Sequence, residues 1–230
     1  MIQKIPHENR GNTFENFTIS GDSEDPVCKQ KKSCLTKLTE LLKKPLTGAS
    51  SLVFISGSAG TGKTHLAVST CHKAALSDWR TVFLTEESFF KYVIPSKANP
   101  VSDFIKQYDI FVLDDFNGAN KTIEQSWLKP ILSEIHATGG KIVVLTSNFP
   151  YVNFISRLLN AVAKKNDDGL HHLNLNDQRF MRRITELSEQ GGIFDFTKPY
   201  DRRVDHTPPT NILVAPSLPF FVNFLKVFFG

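Results

Sequence analysis

The sequence predicts an α/β domain built on a parallel sheet with helices on both faces. Three observations predict it. Short apolar runs alternate with helical stretches all the way from Ser51 to Thr197. A glycine-rich loop follows the first run and opens a helix. A pair of carboxylates closes a later run, at the edge where open parallel sheets hold their ligands.

In chain order, Asp25-Pro26 reads as a helix start, with Asp as cap and Pro in the first turn. Val27, Cys34, Leu35, Leu38, Leu41 and Leu42 then recur at helical spacing to about Lys44. Lys29, Lys31, Lys32, Lys37, Lys43 and Lys44 give that helix a basic exterior, either a solvated face or a phosphate-backbone contact. Ser51–Ser56 reads as the first buried strand and His65–Ala75 as a helix. Thr81–Thr85, Asp109–Phe116, Lys141–Thr146 and Ile193–Thr197 are the next four strands. Between them lie a turn or helix over Glu86–Ile94 and helices over Ile123–His136, interrupted or kinked at Pro130, Tyr151–Lys165, and Gln178–Glu189 capped by Asn176-Asp177.

Gly57-Ser58-Ala59-Gly60-Thr61-Gly62-Lys63-Thr64 fits G-x-x-x-x-G-K-[ST] without a gap. Glycines let successive N–H groups curl toward one phosphate, and the helix start adds partial positive charge at the same spot. Lys63 is placed to reach the outer phosphates, and the Thr64 hydroxyl to ligate Mg²⁺. Asp114 and Asp115 end the third strand, where the first acid suits Mg²⁺ and the second suits an attacking water. Thr146-Ser147-Asn148 ends the fourth strand, beside the same phosphate. Arg179, Arg182 and Arg183 lie on the late helix, with Arg179 and Arg183 on one face. They read either as a basic helix face or as a guanidinium offered to another subunit's γ-phosphate.

Composition narrows the setting. A formal charge of +4 over 230 residues permits nucleic acid contact without arguing for it. Cys28, Cys34 and Cys71 form neither an even disulfide framework nor a zinc knuckle, so free thiols in a reducing, cytoplasmic setting are expected. No apolar run reaches the length of a membrane span, and the N-terminus lacks an export-signal core. Residues 1–12 read as a flexible segment, 13–203 as the domain and 204–230 as an apolar tail whose default is to fold back on the core. Phe14, Phe17 and Ile19 sit in an extended polar segment and must bury against a nucleotide base or the core edge.

These segments resemble AAA+ ATPases of the DnaA/DnaC/IstB branch, which holds replication initiators, helicase loaders and transposition helper ATPases. The likeness is carried by Thr13-Phe14-Glu15-Asn16-Phe17, by Gly57 through Lys63-Thr64-His65-Leu66, by Val82 to Phe89, by Val112-Leu113-Asp114-Asp115-Phe116 and by Val144 to Asn148, in family order. It implies a P-loop NTPase of AAA+ type with a five-stranded sheet in the order 5-1-4-3-2, binding ATP with Mg²⁺. It places Gly57 to His65 against the nucleotide, Thr64 and Asp114 at the metal, Asp115 at the water, Asn148 as sensor and Arg183 as the arginine finger. It also implies a homo-oligomer in the ATP state, DNA (single-stranded preferred), and a replicative helicase or another replication or transposition protein as partner. Helicase-binding and helix-turn-helix appendages have no counterpart here, and Ser156–Gln178 is longer than the family pattern. Two rivals stand beside an ATP-hydrolysing replication factor: a nucleotide-gated adaptor or transposition helper with little turnover, and a small-metabolite kinase, against which Asp114-Asp115 and Thr146-Ser147-Asn148 speak.

Overall fold

Five strands, β1 (Ser51–Ser56), β2 (Thr81–Thr85), β3 (Ile110–Asp114), β4 (Ile142–Ser147) and β5 (Gly192–Asp195), pair in parallel in the order β2-β3-β4-β1-β5. This is the expected 5-1-4-3-2 order read from the other edge. The computed structural model describes residues 5, 7–43, 46–93, 100–117, 124–159 and 174–197. All of them lie in one compact unit, Met1–Lys198. The expected apolar tail, the turn at Asn166–Gly169 and the second half of the helix expected over Tyr151–Lys165 fall outside the described residues.

The sheet is covered on both faces, which explains its unbroken apolar strands. Every residue of β1 is buried. Val53 and Ile55 join the core with Leu66, Ala67 and Cys71 of helix α2 (Lys63–Ala75). That core also takes Val27, Cys34 and Leu38 from helix α1 (Pro26–Leu41). The intervening Phe54 points the other way, 5.1 Å from the ring of Tyr151 and 5.2 Å from that of Phe154. Each such buried side chain contributes roughly 1.5–3 kcal/mol. Asp25 caps α1 as expected, accepting the Val27 N–H at 2.8 Å.

The remaining helices depart in detail from the pattern read in the sequence. Helix α3 (Glu86–Val93) follows β2 directly, and helix α4 (Pro100–Gln107) occupies a stretch with no predicted element. The expected helix over Ile123–His136 is a π-helical turn, Glu124–Leu128, followed by helix α5 (Lys129–Thr138). Pro130 thus stands in the first turn of α5, and the expected interruption falls immediately before it. Helix α6 spans Tyr151–Leu158. Helix α7 (Leu175–Gly191) begins earlier than Gln178, because Asn174 is its cap and accepts the Asp177 N–H at 2.9 Å. Asp177, expected as part of the cap, is instead buried and ion-paired with Lys129. Residues 1–12 were expected to be flexible, yet Ile5 is buried in the core.

One charge cluster locks the end of the sheet remote from the glycine loop. Asp109, just before β3, takes Arg80 Nη2 at 2.8 Å and the Arg80 backbone N–H at 3.1 Å, with Lys141 Nζ at 3.4 Å. Arg80 and Lys141 immediately precede β2 and β4, so three strand starts share one carboxylate. The loops that follow β1, β3 and β4 emerge at the opposite edge.

Candidate nucleotide-binding site

The loop from Gly57 to Gly62 joins β1 to α2, and its φ angles are possible because of its glycines. Gly57 has φ 147° and Gly62 has φ 98°. A Cβ on Gly62 would also lie 2.8 Å from the Phe17 ring. Ser58, Ala59 and Gly60 are exposed at the tip, and Thr61 Oγ1 braces the loop by donating to the Ser58 carbonyl at 2.8 Å. Among the described residues no side chain caps the first turn of α2. Its amides are thus available to an anion, with the helix dipole behind them.

Lys63 is buried, and its ammonium gathers three oxygens: Gly57 O at 2.8 Å, Ser58 O at 3.0 Å and Asn148 Oδ1 at 2.9 Å. Burial pulls its pKa below the usual lysine value, opposed by the Asp115 and Asp114 carboxylates. Asp114 is buried at the end of β3. Its Oδ1 accepts from Thr146 Oγ1 at 2.6 Å and Thr64 Oγ1 at 3.3 Å. Burial pushes its pKa up; the two hydroxyls oppose that, and Asp115 adds to it. A desolvated carboxylate beside a threonine hydroxyl is a hard-oxygen donor set that fits Mg²⁺, which completes its shell with water and phosphate.

The next residue leaves the strand abruptly. Asp115 is a non-glycine residue in the left-handed region, at φ 59°. Its N–H donates to Thr146 Oγ1 at 2.9 Å, so one threonine hydroxyl clamps both aspartates. The carboxylate of Asp115 is exposed and accepts Asn148 Nδ2 at 3.4 Å. Lys63, Thr64, Asp114, Asp115 and Asn148 are therefore gathered at one place, linked by hydrogen bonds across β1, β3 and β4.

Other predicted residues stand differently. The His65 side chain turns to the N-terminal segment, with Nε2 2.9 Å from Thr13 O and 2.9 Å from Asn16 Oδ1. Its ring is 5.1 Å from that of Phe17. Phe14 and Phe17 thus pack at the core edge, with Phe17 laid over Gly62 and His65. No described hydrogen bond or ion pair joins Arg179, Arg182 or Arg183 to the loop. Arg182 is held by Glu186 at 2.8 Å, Arg179 is exposed and Arg183 half-buried. Sequence reasoning missed Asn117 and Glu86 here and read Thr146 only as part of a polar strand end. The clamping role of Thr146 follows from the β3–β4 register, and Asn117 and Glu86 meet beside Asp115 through a bond 31 residues apart in sequence. No local motif signals either.

This arrangement, a lysine-tipped glycine loop after β1 facing acids after β3 and an asparagine after β4, defines a P-loop ATPase domain of AAA+ type. The chain belongs to the bacterial DnaA ATPase domain family, whose model matches residues 9–172. The chromosomal replication initiator protein DnaA of Bacteroides thetaiotaomicron is 30% identical over 154 residues, covering 63% of this chain and 31% of the relative. The DnaA of Thermotoga maritima is 29% identical over 168 residues, covering 60% of this chain and 38% of the relative. The chain thus spans about a third of the length of the curated relatives it matches. Among solved structures, DnaI superposes with a TM-score of 0.59 at 17% identity, covering 86% of this chain and 94% of that one. A replication initiator DnaA bound to AMPPCP and single-stranded DNA gives 0.54 at 22% identity, covering 80% and 49%. At those identities the likeness is one of fold. Among the described residues no helix is long and apolar enough to cross a membrane.

Proposed function

We infer that this chain binds ATP with Mg²⁺, hydrolyses it, and uses the cycle in DNA replication in the cytoplasm, as an initiator-like or helicase-loader-like factor. The single observation behind this reading is the Lys63–Asn148 hydrogen bond. It brings the phosphate-loop ammonium to the end of β4, one strand from the two aspartates. Lys63 binds the outer phosphates, with Gly57, Ser58, Ala59, Gly60, Thr61, Gly62, Thr64 and His65 supplying the loop and first helical turn around them. Thr64 and Asp114 hold Mg²⁺, which neutralises phosphate charge when bound. Asp115 orients a water whose oxygen bonds to the γ-phosphorus as the bond to the bridging oxygen breaks. The water's proton passes to Asp115 and then to solvent, leaving ADP and inorganic phosphate. Asn148 reports the γ-phosphate through its carboxamide.

Arg183 acts in trans in an ATP-state homo-oligomer. Arg182 suits that role less, because its guanidinium is tied to Glu186 of its own helix. The DnaA complex with AMPPCP and single-stranded DNA supports DNA as one partner, and the resemblance to helicase loaders and transposition helpers suggests a replicative helicase or another replication or transposition protein as the other. The test is calorimetry and turnover with purified protein. Lys63→Ala should weaken ATP binding and turnover, and Asp115→Asn should keep binding while losing hydrolysis. Turnover that survives both changes overturns the site assignment.

A second reading, a nucleotide-gated adaptor or transposition helper with little turnover, is favoured by one feature. Asp115 is a short acid already engaged by neighbouring amides. Bound ATP left intact over hours in a single-turnover assay would favour it.

A further inference from the structure

The strand end that carries Asp115 is followed by a turn whose last described residue, Asn117, makes more polar contacts than its place beside the sheet requires. Asp115 takes the left-handed conformation, and Phe116 dives back into the core. Phe116 is fully buried, its N–H donates to Thr146 O at 3.0 Å, and its ring meets that of Phe89 edge-on at 5.4 Å. This anchor brings Asn117 back over the end of β4. There its Nδ2 donates to Asp115 Oδ1, and its Oδ1 accepts the Asn148 N–H at 2.6 Å and Ser147 Oγ at 3.4 Å. Its own N–H donates to Glu86 Oε2, at 3.0 Å, from the first residue of α3.

Chemistry fixes the orientation of this carboxamide. Flipped, its carbonyl would face a carboxylate and its NH₂ would face a backbone N–H, and both meetings are repulsive. One amide therefore joins an acceptor-only group to a donor-only group, a task that an ionised Asp does not perform at that position. Among the described residues both amide bonds to Asp115 fall on Oδ1. Asn148 is held at its backbone by Asn117, while its side chain spans Lys63 and Asp115.

We propose that Asn117, anchored by Glu86, is a positioning residue that sets the Asp115 carboxylate and the Asn148 carboxamide in one fixed geometry for water attack on ATP. Its described hydrogen bonds go to Glu86, Asp115, Ser147 and Asn148, and none goes to Thr64, Asp114 or the glycine loop. Its effect therefore falls on the hydrolytic step and not on nucleotide affinity. This rests on the ATPase reading given above.

The experiment compares the parent chain with Asn117→Ala, Asn117→Asp, Glu86→Ala and Glu86→Gln, each checked for an intact thermal transition. Calorimetry with Mg²⁺-ATP should give affinities within about twofold of the parent, while the single-turnover rate falls about 10- to 100-fold in both Asn117 variants. Asn117→Asp keeps the size and the acceptor for Asn148 but presents oxygen to Asp115, so it separates lost geometry from lost packing. Glu86→Gln, which still offers an acceptor, should recover most of the rate lost in Glu86→Ala. Amide hydrogen exchange at Asn148 should quicken in Asn117→Ala without nucleotide present. Unchanged turnover in both Asn117 variants, or affinity falling in step with turnover, overturns the proposal. So does a parent that binds ATP and leaves it intact. A folded parent that binds no ATP fails the nucleotide reading itself, and this proposal with it.

Discussion

The Lys63 ammonium lies 2.9 Å from the carboxamide oxygen of Asn148, across 85 residues of sequence. Lys63 opens α2 after the glycine loop that follows β1, and Asn148 directly follows β4, the parallel neighbour of β1. The ammonium is satisfied by Gly57 O, Ser58 O and Asn148 Oδ1, partners that it would exchange for a phosphate oxygen at the loop.

That exchange separates two substitutions. Lys63→Ala removes a charge-assisted donor and should weaken ATP binding about 10- to 100-fold, following the roughly 1.5–3 kcal/mol of such bonds. Asn148→Ala leaves the loop's amides and Lys63 in place. Its ATP affinity should stay within a few-fold while hydrolysis falls on the order of 10²-fold. Calorimetry and a phosphate-release assay measure the two effects.

Thr146 carries stability as well as geometry. Its hydroxyl donates to buried Asp114 and accepts from the Asp115 N–H, at 2.6 Å and 2.9 Å. Thr146→Val keeps the shape and leaves a buried carboxylate and an amide short of partners, for a loss of about 1–3 kcal/mol in denaturant unfolding. Thr146→Ser should retain most of that stability.

Gly62 is constrained twice, by its φ of 98° and by the Phe17 ring 2.8 Å from where a Cβ would stand. Gly62→Ala should destabilise by about 1–3 kcal/mol, from backbone strain and displacement of the aromatic ring. Adding Phe17→Ala should not restore the parent's thermal transition, because the strain in φ persists.

The Arg80–Asp109 pair predicts a pH dependence. The Arg80 side chain, then its backbone N–H and Lys141, hold the Asp109 pKa below the usual carboxylate value. A depressed folded-state pKa gives stability that is present above the unfolded value, about 3.9, and lost as pH falls through the folded value. Asp109→Asn should therefore lower Tm at pH 7, by a few degrees at most given the solvent screening of this pair. The difference from the parent should shrink below about pH 4. A Tm gap that stays constant from pH 7 to pH 3 would contradict the assignment.

The late helix shows where reading by residue type fell short. Asn176-Asp177 reads as a cap by composition, but Asp177 lies inward against Lys129 of α5, and Asn174 caps in its place. Pro130 reads as an interruption or a kink, and the structure shows which: a π-helical turn ends just before it and α5 begins. Phe17 left open whether it faced a base or the core edge, and packing over Gly62 and His65 decided it.

The sequence by itself determined the parallel α/β sheet, the phosphate loop and the residues that close β3 and β4. Those depend on local periodicity and on side-chain types that a single strand or turn displays. Only the tertiary structure decided that Thr146 grips both aspartates and that His65 serves the N-terminal segment. It alone decided that Asn117 bridges Asp115 to Asn148 under the hold of Glu86. Those relations arise from the strand order β2-β3-β4-β1-β5, which sets distant segments within hydrogen-bond reach. A backbone hydrogen bond or a buried carboxylate takes its partner from spatial neighbours, and spacing along the chain does not encode them.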